Sequence, residues 1–200
     1  MSIKLAETHY YIVDTETTGL SADNNEIFQI SIIRCSDRNQ LTKWIKCENL
    51  DAVSPRALEV TNSTMADLVK GDAKEDVVDA CNRFFDDDGA GPEQRCIIGH
   101  NIIGFDKRFL YRLWEKCDSP FPANMWLCTL QYMRKYAKQQ GLPSKGLDLN
   151  SSCKILGIKP KLGAHSAVID TQNNYFLWKG LQKTGIPQIH LVKRFKQELK

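Results

Sequence analysis

Ile12-Val-Asp-Thr-Glu-Thr-Thr-Gly-Leu20 decides the reading of this chain. With Tyr10 and Tyr11 ahead of it, its apolar start is the β-branched and aromatic run of a short buried strand, and Asp14 and Glu16 follow directly. Residues two apart on a strand point the same way, so both carboxylates project together from its end. Unpaired charge is costly where the hydrophobic pattern predicts burial, and a bound divalent metal is a fitting compensation. Taken alone, Asp14-Thr-Glu16 also fits a turn acid beside a capping acid ahead of Thr17-Thr18-Gly19.

Two further stretches supply more of the same chemistry. In His100-Asn-Ile-Ile-Gly-Phe-Asp106, the short apolar run Cys96-Ile97-Ile98 gives way at Gly99 to a helix opening near Gly104. On that helix Asp106 shares a face with Leu110, Leu113 and Cys117, while Lys107, Arg108, Arg112, Glu115 and Lys116 take the wetter side. In Ala164-His-Ser-Ala-Val-Ile-Asp170, Asp170 falls early in a helix over Ser166–Leu181, and His165 lies at or just before its entrance. Four carboxylates and one imidazole thus stand where a metal-dependent nuclease would need them.

Composition sets the bounds. Two hundred residues, 42% hydrophobic and 26% charged, suit one globular domain, expected over 1–185, with a short basic tail over 186–200. No apolar stretch reaches membrane-spanning length and the N-terminus lacks a secretory pattern, so a cytoplasmic protein without membrane association is expected. Seven scattered cysteines, none at the two-residue spacing of a zinc or redox motif, read as free thiols. The net charge of +3 suits a polyanionic partner without demanding one. Asp86-Asp87-Asp88 reads as a solvated loop, and His190–Lys200 as a solvated basic helix.

Strand-like pieces at Tyr10–Val13, Glu26–Arg34 and Leu41–Cys47 come first, with Asp37–Gln40 as a hairpin connection. Helical patterns follow at Pro55–Val60, from Thr64, and over Lys74–Phe85. Further strands are expected at Cys96–Ile98 and Met125–Leu127, with helices from Thr129 and over Leu147–Leu156. The pattern is α/β: an antiparallel meander joined to parallel strands through helical crossovers, flanked by helices.

Taken together, IVDTETTGL, GHNIIGFDKRFL and AHSAVIDT resemble the three motifs of the DEDD superfamily of 3′–5′ exonucleases, in its DnaQ-like, histidine-containing branch. His165 stands five positions before Asp170, the spacing of the histidine rather than the tyrosine branch. The likeness runs from about Tyr10 to Leu181 and includes SPRALEVTNSTMADL. Gln29 stands where many relatives have Glu, and Cys128 stands in an Asp-Thr-Leu position before a helix; neither change removes a metal ligand.

The resemblance implies a ribonuclease H-like fold with a mixed five-stranded sheet. It also implies two Mg²⁺ or Mn²⁺ ions, with Asp14 bridging, Glu16 and Asp170 completing one site, and Asp106 holding the other through water. Two cations of this kind can activate water and stabilise the leaving 3′-oxygen. His165, with an ordinary pKa of roughly 6.5, is suited to take the proton of the attacking water. Thr15, Thr17, Thr18, Gly19 and Leu20 are expected to flank the terminal nucleotide with Phe105, Phe109 is expected in the core, and His100 and Asn101, which order the second motif without touching metal, are counted with the substrate-binding residues. The implied activity is removal of nucleoside 5′-monophosphates from a single-stranded 3′ end. DNA is favoured in a proofreading-like role with a DNA polymerase as partner, and RNA is the rival substrate. A catalytically idle nucleic-acid-binding or polymerase-assembly module is the alternative of another class.

Overall fold

The computed structural model describes residues 8–161, 163, 166–188 and 191–195. Its centre is a six-stranded sheet of order β3-β2-β1-β4-β5-β6. Strand β1 is His9–Thr17, β2 Ile27–Arg34, β3 Gln40–Trp44, β4 Arg95–Gly99, β5 Met125–Cys128 and β6 Val192–Arg194. The first three form the antiparallel meander, and β4 joins β1, and β5 joins β4, in parallel. Those parallel pairings require crossovers. Helices α1 (Pro55–Thr61), α2 (Met65–Leu68) and α3 (Lys74–Asp86) make the first and α4 (Asp106–Lys116) the second. Helices α5 (Thr129–Gln139), α6 (Leu149–Ile155) and α7 (Ala167–Gln182) follow.

Strand alternation divides the core into two layers. Tyr11, Val13, Ile97 and Trp126 face α3 and α4, packing with Phe85, Phe109 and Trp114. Ile12, Ile33, Ile98 and Leu127 face the opposite way, against Tyr132, Leu177 and Trp178 of α5 and α7. The parity that sends Ile12 toward α7 sends Asp14 and Glu16 the same way, so the fold places these acids beneath the start of α7. The pairing of β1 with β2 slips between Glu16 and Thr17. Such an irregularity turns the strand end away from the ladder, which is common beside active sites.

Three expectations need correction. The sheet has six strands rather than five, because Val192–Arg194 pairs antiparallel with β5. The same pairing replaces the expected helix over that part of the C-terminal segment; residues 196–200 lie outside the described residues. Asp86-Asp87-Asp88 is not uniformly solvated either. The Asp88 side chain is only 4% exposed and sits 2.9 Å from Nη2 of the equally buried Arg95, while Tyr11 donates its hydroxyl to Asp88 Oδ2 at 2.6 Å.

Candidate active site

Asp14, Glu16 and Asp170 each bring a carboxylate oxygen into a cluster whose members lie within 4.8 Å of one another. All three are half-buried. Asp14 and Glu16 come from the end of β1, and Asp170 from the first turn of α7 packed over it. Asp106 approaches the same strand from the opposite face of the sheet. It is 5% exposed in the first turn of α4, and its Oδ1 accepts the Thr15 hydroxyl at 2.8 Å. Alternation along β1 explains this arrangement: Thr15 points toward α4 while its acidic neighbours point toward α7.

The electrostatics follow from crowding acids in a recess. Burial, then the charges of Asp106, Glu16 and Asp170, hold the Asp14 carboxyl well above the ordinary range. Burial, with Asp170 and Asp106, pushes Glu16 up to about 8. Burial raises Asp106 to about 6 even though hydrogen bonds from Thr15 oppose the shift. Like charges this close cannot all ionise cheaply without a counter-charge. An all-oxygen carboxylate donor set suits a hard divalent cation, so the residues present fit a metal centre.

Beside the cluster lies a pocket of about 260 Å³. Thr15, Glu16, Thr17, Gly19 and Leu20 form one side, Phe105 another, and Ser54, Arg56, Ala57, Val60 and Thr61 the third. Leu20 is 81% exposed, an apolar side chain held out at the rim. The turn beneath it is pinned by its own hydrogen bonds. Thr17 donates to the Gly19 carbonyl at 2.7 Å, and the fully buried Thr18 accepts the Glu26 N–H at 2.9 Å. A Cβ on Gly19 would stand 2.5 Å from Asn25 Oδ1, so a side chain here would push the Asn25 amide off its hydrogen bonds with the Ser21 N–H and the Ala52 carbonyl.

An exonuclease family model, RNase_T, matches residues 11–177. The chain belongs to this exonuclease family. Residues 11–177 are thus an exonuclease-family domain of the DEDD superfamily with a ribonuclease H-like fold, and its acidic cluster is one that could hold a divalent metal. The chain is 26% identical over 183 residues to a PolC-type DNA polymerase III of Oceanobacillus iheyensis, an alignment covering 90% of this chain and 12% of that protein. Its fold resembles Escherichia coli exonuclease I in complex with a dT13 oligonucleotide, with a TM-score of 0.69 and 20% identity over 88% of this chain and 41% of the other. It also resembles a 3′-exonuclease described in 3′-end specific recognition of a histone mRNA stem-loop, with a TM-score of 0.70 and 14% identity over 88% and 82% of the two chains. At these identities the structural likenesses show the fold alone.

The other expected residues of this exonuclease are placed as follows. His100 is held through both ring nitrogens, which lie 2.8 Å from the Leu147 carbonyl and 3.1 Å from the Thr129 hydroxyl. Burial lowers its pKa, which favours the neutral ring. Asn101 takes a left-handed conformation, φ 65°, and its carbonyl accepts the N–H groups of Gly104 and Phe105, forming the turn that launches α4. Phe109 is 2% exposed, a core residue whose ring centroid lies 5.0 Å from that of Phe105. His165 lies outside the described residues. The α1 wall escaped the sequence reading. The signal available was Pro55 at the helix start; what joins that start to the first motif is the Ser54 N–H donating to the Thr18 carbonyl at 2.8 Å.

Proposed function

We propose that this exonuclease removes nucleotides one at a time from the 3′ end of a single strand, releasing nucleoside 5′-monophosphates, with DNA as the preferred substrate. The observation that carries the reading is the convergence of Asp14, Glu16 and Asp170 beside a pocket of about 260 Å³ that Glu16 also lines. Leu20 and Phe105 offer the terminal base apolar contact, and backbone groups of the Thr15–Gly19 turn face the sugar. Asp14, Glu16 and Asp170 would hold Mg²⁺ or Mn²⁺, with Asp106 completing a second position through water. Two such ions, when bound, supply water activation and neutralise charge at the scissile phosphate and leaving 3′-oxygen. Thr15 orients Asp106 by hydrogen bonding to it. His165 is assigned the proton of the attacking water.

The choice of DNA rests on the likeness of 90% of the chain to part of a DNA polymerase. The same likeness motivates the proposal of a polymerase partner, with the exonuclease domain running through 1–185 and continuing into the basic C-terminal segment, whose Val192–Arg194 forms the edge strand of its sheet. All seven cysteines are unpaired, in keeping with a cytoplasmic setting. Among the described residues no helix is long and apolar enough to cross a membrane.

The experiment is a labelled oligonucleotide assay on matched DNA and RNA strands, with the label at either end, in Mg²⁺ and then in EDTA. Stepwise shortening from the 3′ end of DNA, abolished by EDTA, is expected. Faster shortening of RNA reverses the sugar preference, shortening from the 5′ end reverses the direction, and binding without shortening leaves an idle module.

A further inference from the structure

Helix α7 begins without help from its own cap residue: Ser166 makes no side-chain hydrogen bond to the first turn. The Ala167 N–H donates instead to Gln29 Oε1 at 3.0 Å, across 138 positions of sequence. Gln29 is 5% exposed on β2, directly opposite Glu16 in the β1–β2 register. Because an N–H needs an acceptor, this contact fixes which way the Gln29 amide points.

A second amide grips the next turn. Gln40, on β3, donates through Nε2 toward the Val168 carbonyl at 3.2 Å and the Thr171 hydroxyl at 3.1 Å. Its Oε1 accepts from Gln172 at 2.7 Å. Ser31 ties the same knot to the sheet, 3.2 Å from the Thr171 hydroxyl and opposite Asp14 in register. The turn of α7 that carries Asp170 is therefore fastened on both sides, at Ala167 and at Val168–Gln172, to the strand that pairs with Asp14 and Glu16 and to the strand beyond it.

We infer that Gln29 and Gln40 are positioning residues that set Asp170 in register with Asp14 and Glu16, so that the competence of the metal centre depends on two neutral amides of the β2–β3 hairpin. The inference rests on the proposed role of Asp170 as a metal ligand. The Gln29 side-chain oxygen supplies the acceptor that the Ala167 N–H needs at the helix start. Partners that orient a ligand rather than touch the ion typically change metal affinity by roughly 10–100-fold when removed.

The test uses the whole chain and Mn²⁺ as probe, with free Mn²⁺ followed by electron paramagnetic resonance and amide exchange of the 166–172 segment followed by mass spectrometry. Gln29→Leu should weaken Mn²⁺ binding by about 10-fold or more and speed exchange in that segment. Gln29→Glu, which keeps an acceptor for the Ala167 N–H, should restore slow exchange. If Gln29 acts through Asp170, adding Gln29→Leu to Asp170→Asn should cost little further affinity, since the two losses share one cause. Gln40→Leu, at a half-buried position, gives the same reading by a milder route if Gln29→Leu does not fold.

Parent-like Mn²⁺ affinity in both leucine variants, or losses that simply multiply in the double variant, overturns the inference. So does a fall in melting temperature alone, which would make the clasp structural only. A parent chain that binds no Mn²⁺ removes the metal reading and the clasp's role with it, and is recognisable because it appears before any variant is made.

Discussion

Asp14, Glu16 and Asp106 differ in what restrains their ionisation, and the difference has a testable sign. Burial first, and the neighbouring acids second, lift Glu16 to about 8. Between the ordinary glutamate range near 4.3 and that value, the folded ion-free protein binds protons that the unfolded chain releases. This group's contribution to stability is therefore full below the ordinary range and is lost as pH rises toward about 8. A divalent cation supplies the counter-charge that the protons supplied. The rise in melting temperature caused by Mg²⁺ should accordingly be larger at pH 8 than at pH 6, with protons released on binding at neutral pH. Calorimetry in two buffers of different ionisation enthalpy measures that release, and an identical heat in both would contradict it. A separate expectation concerns His165. If it takes the proton of the attacking water, His165→Ala should leave Mn²⁺ affinity intact and slow single-turnover cleavage by about 10²–10⁴-fold. Undiminished cleavage would remove His165 from the mechanism.

The elements that carry these residues owe their positions to packing on both faces of the sheet, and to one buried ion pair. Arg95 opens β4 at 2% exposure, with Asp88 just past the end of α3 at 4%. Burial works against ionisation of Asp88, but hydrogen bonds from Arg95 and Tyr11 outweigh it and hold the carboxyl below its ordinary range. Its contribution to stability is thus present above the ordinary aspartate pKa of about 3.9 and is lost as pH falls through the lower folded-state value. Removing Asp88 leaves the buried Arg95 with the exposed Asp86 carboxylate at 3.3 Å and the Pro122 carbonyl as its partners, in place of a buried counter-charge. Asp88→Ala should cost about 3–5 kcal/mol in urea unfolding while leaving Mn²⁺ affinity unchanged, because Arg95 lies on the face of the sheet away from Asp14 and Glu16. A cost below about 1 kcal/mol would show that the pair is incidental. The sequence could not reveal this interaction. It shows three consecutive acids beside Gly89, a solvated pattern, and says nothing of an arginine brought over Asp88 by the return of the chain into β4. The major strands and helices were legible because each has enough apolar residues at one period to fix its face. Asp106 could be read for the same reason: Leu110 and Leu113 define its side of α4, and both are buried there.

For the whole molecule, what sequence could reach was set by contact range. The acidic set was visible because its members sit in three compact motifs. The grip of Gln29 on Ala167 was not, because it joins positions 138 apart through an amide with no distinctive local pattern. Strand β6 shows the same limit at the sheet edge. Leu191 and Phe195 are four apart and suggest a helix, yet Leu127, Trp126 and Met125 pair with Val192, Lys193 and Arg194. The Phe195 N–H donates to the Asn124 carbonyl at 2.9 Å, Tyr111 donates its hydroxyl to the Phe195 carbonyl at 3.3 Å, and Lys107 Nζ stands 3.8 Å from the Phe195 ring centre. These contacts tie residues 192–195 to β5 and to α4, the helix that carries Asp106. Deleting residues 189–200 would expose the edge of β5 and the side chains around Val192, which is itself 8% exposed. Loss of one buried valine and its cross-strand neighbours amounts to about 2–4 kcal/mol. At about 2–4 °C per kcal/mol for a chain of this length, the melting temperature should fall by about 5–15 °C. An uncovered strand edge also invites pairing between molecules, so the truncated protein should associate at concentrations where the parent stays monodisperse by light scattering. If the truncated chain melts with the parent and does not associate, the terminal segment is a free extension, and a role in contacting a polymerase or the substrate strand becomes the better account of its basic residues.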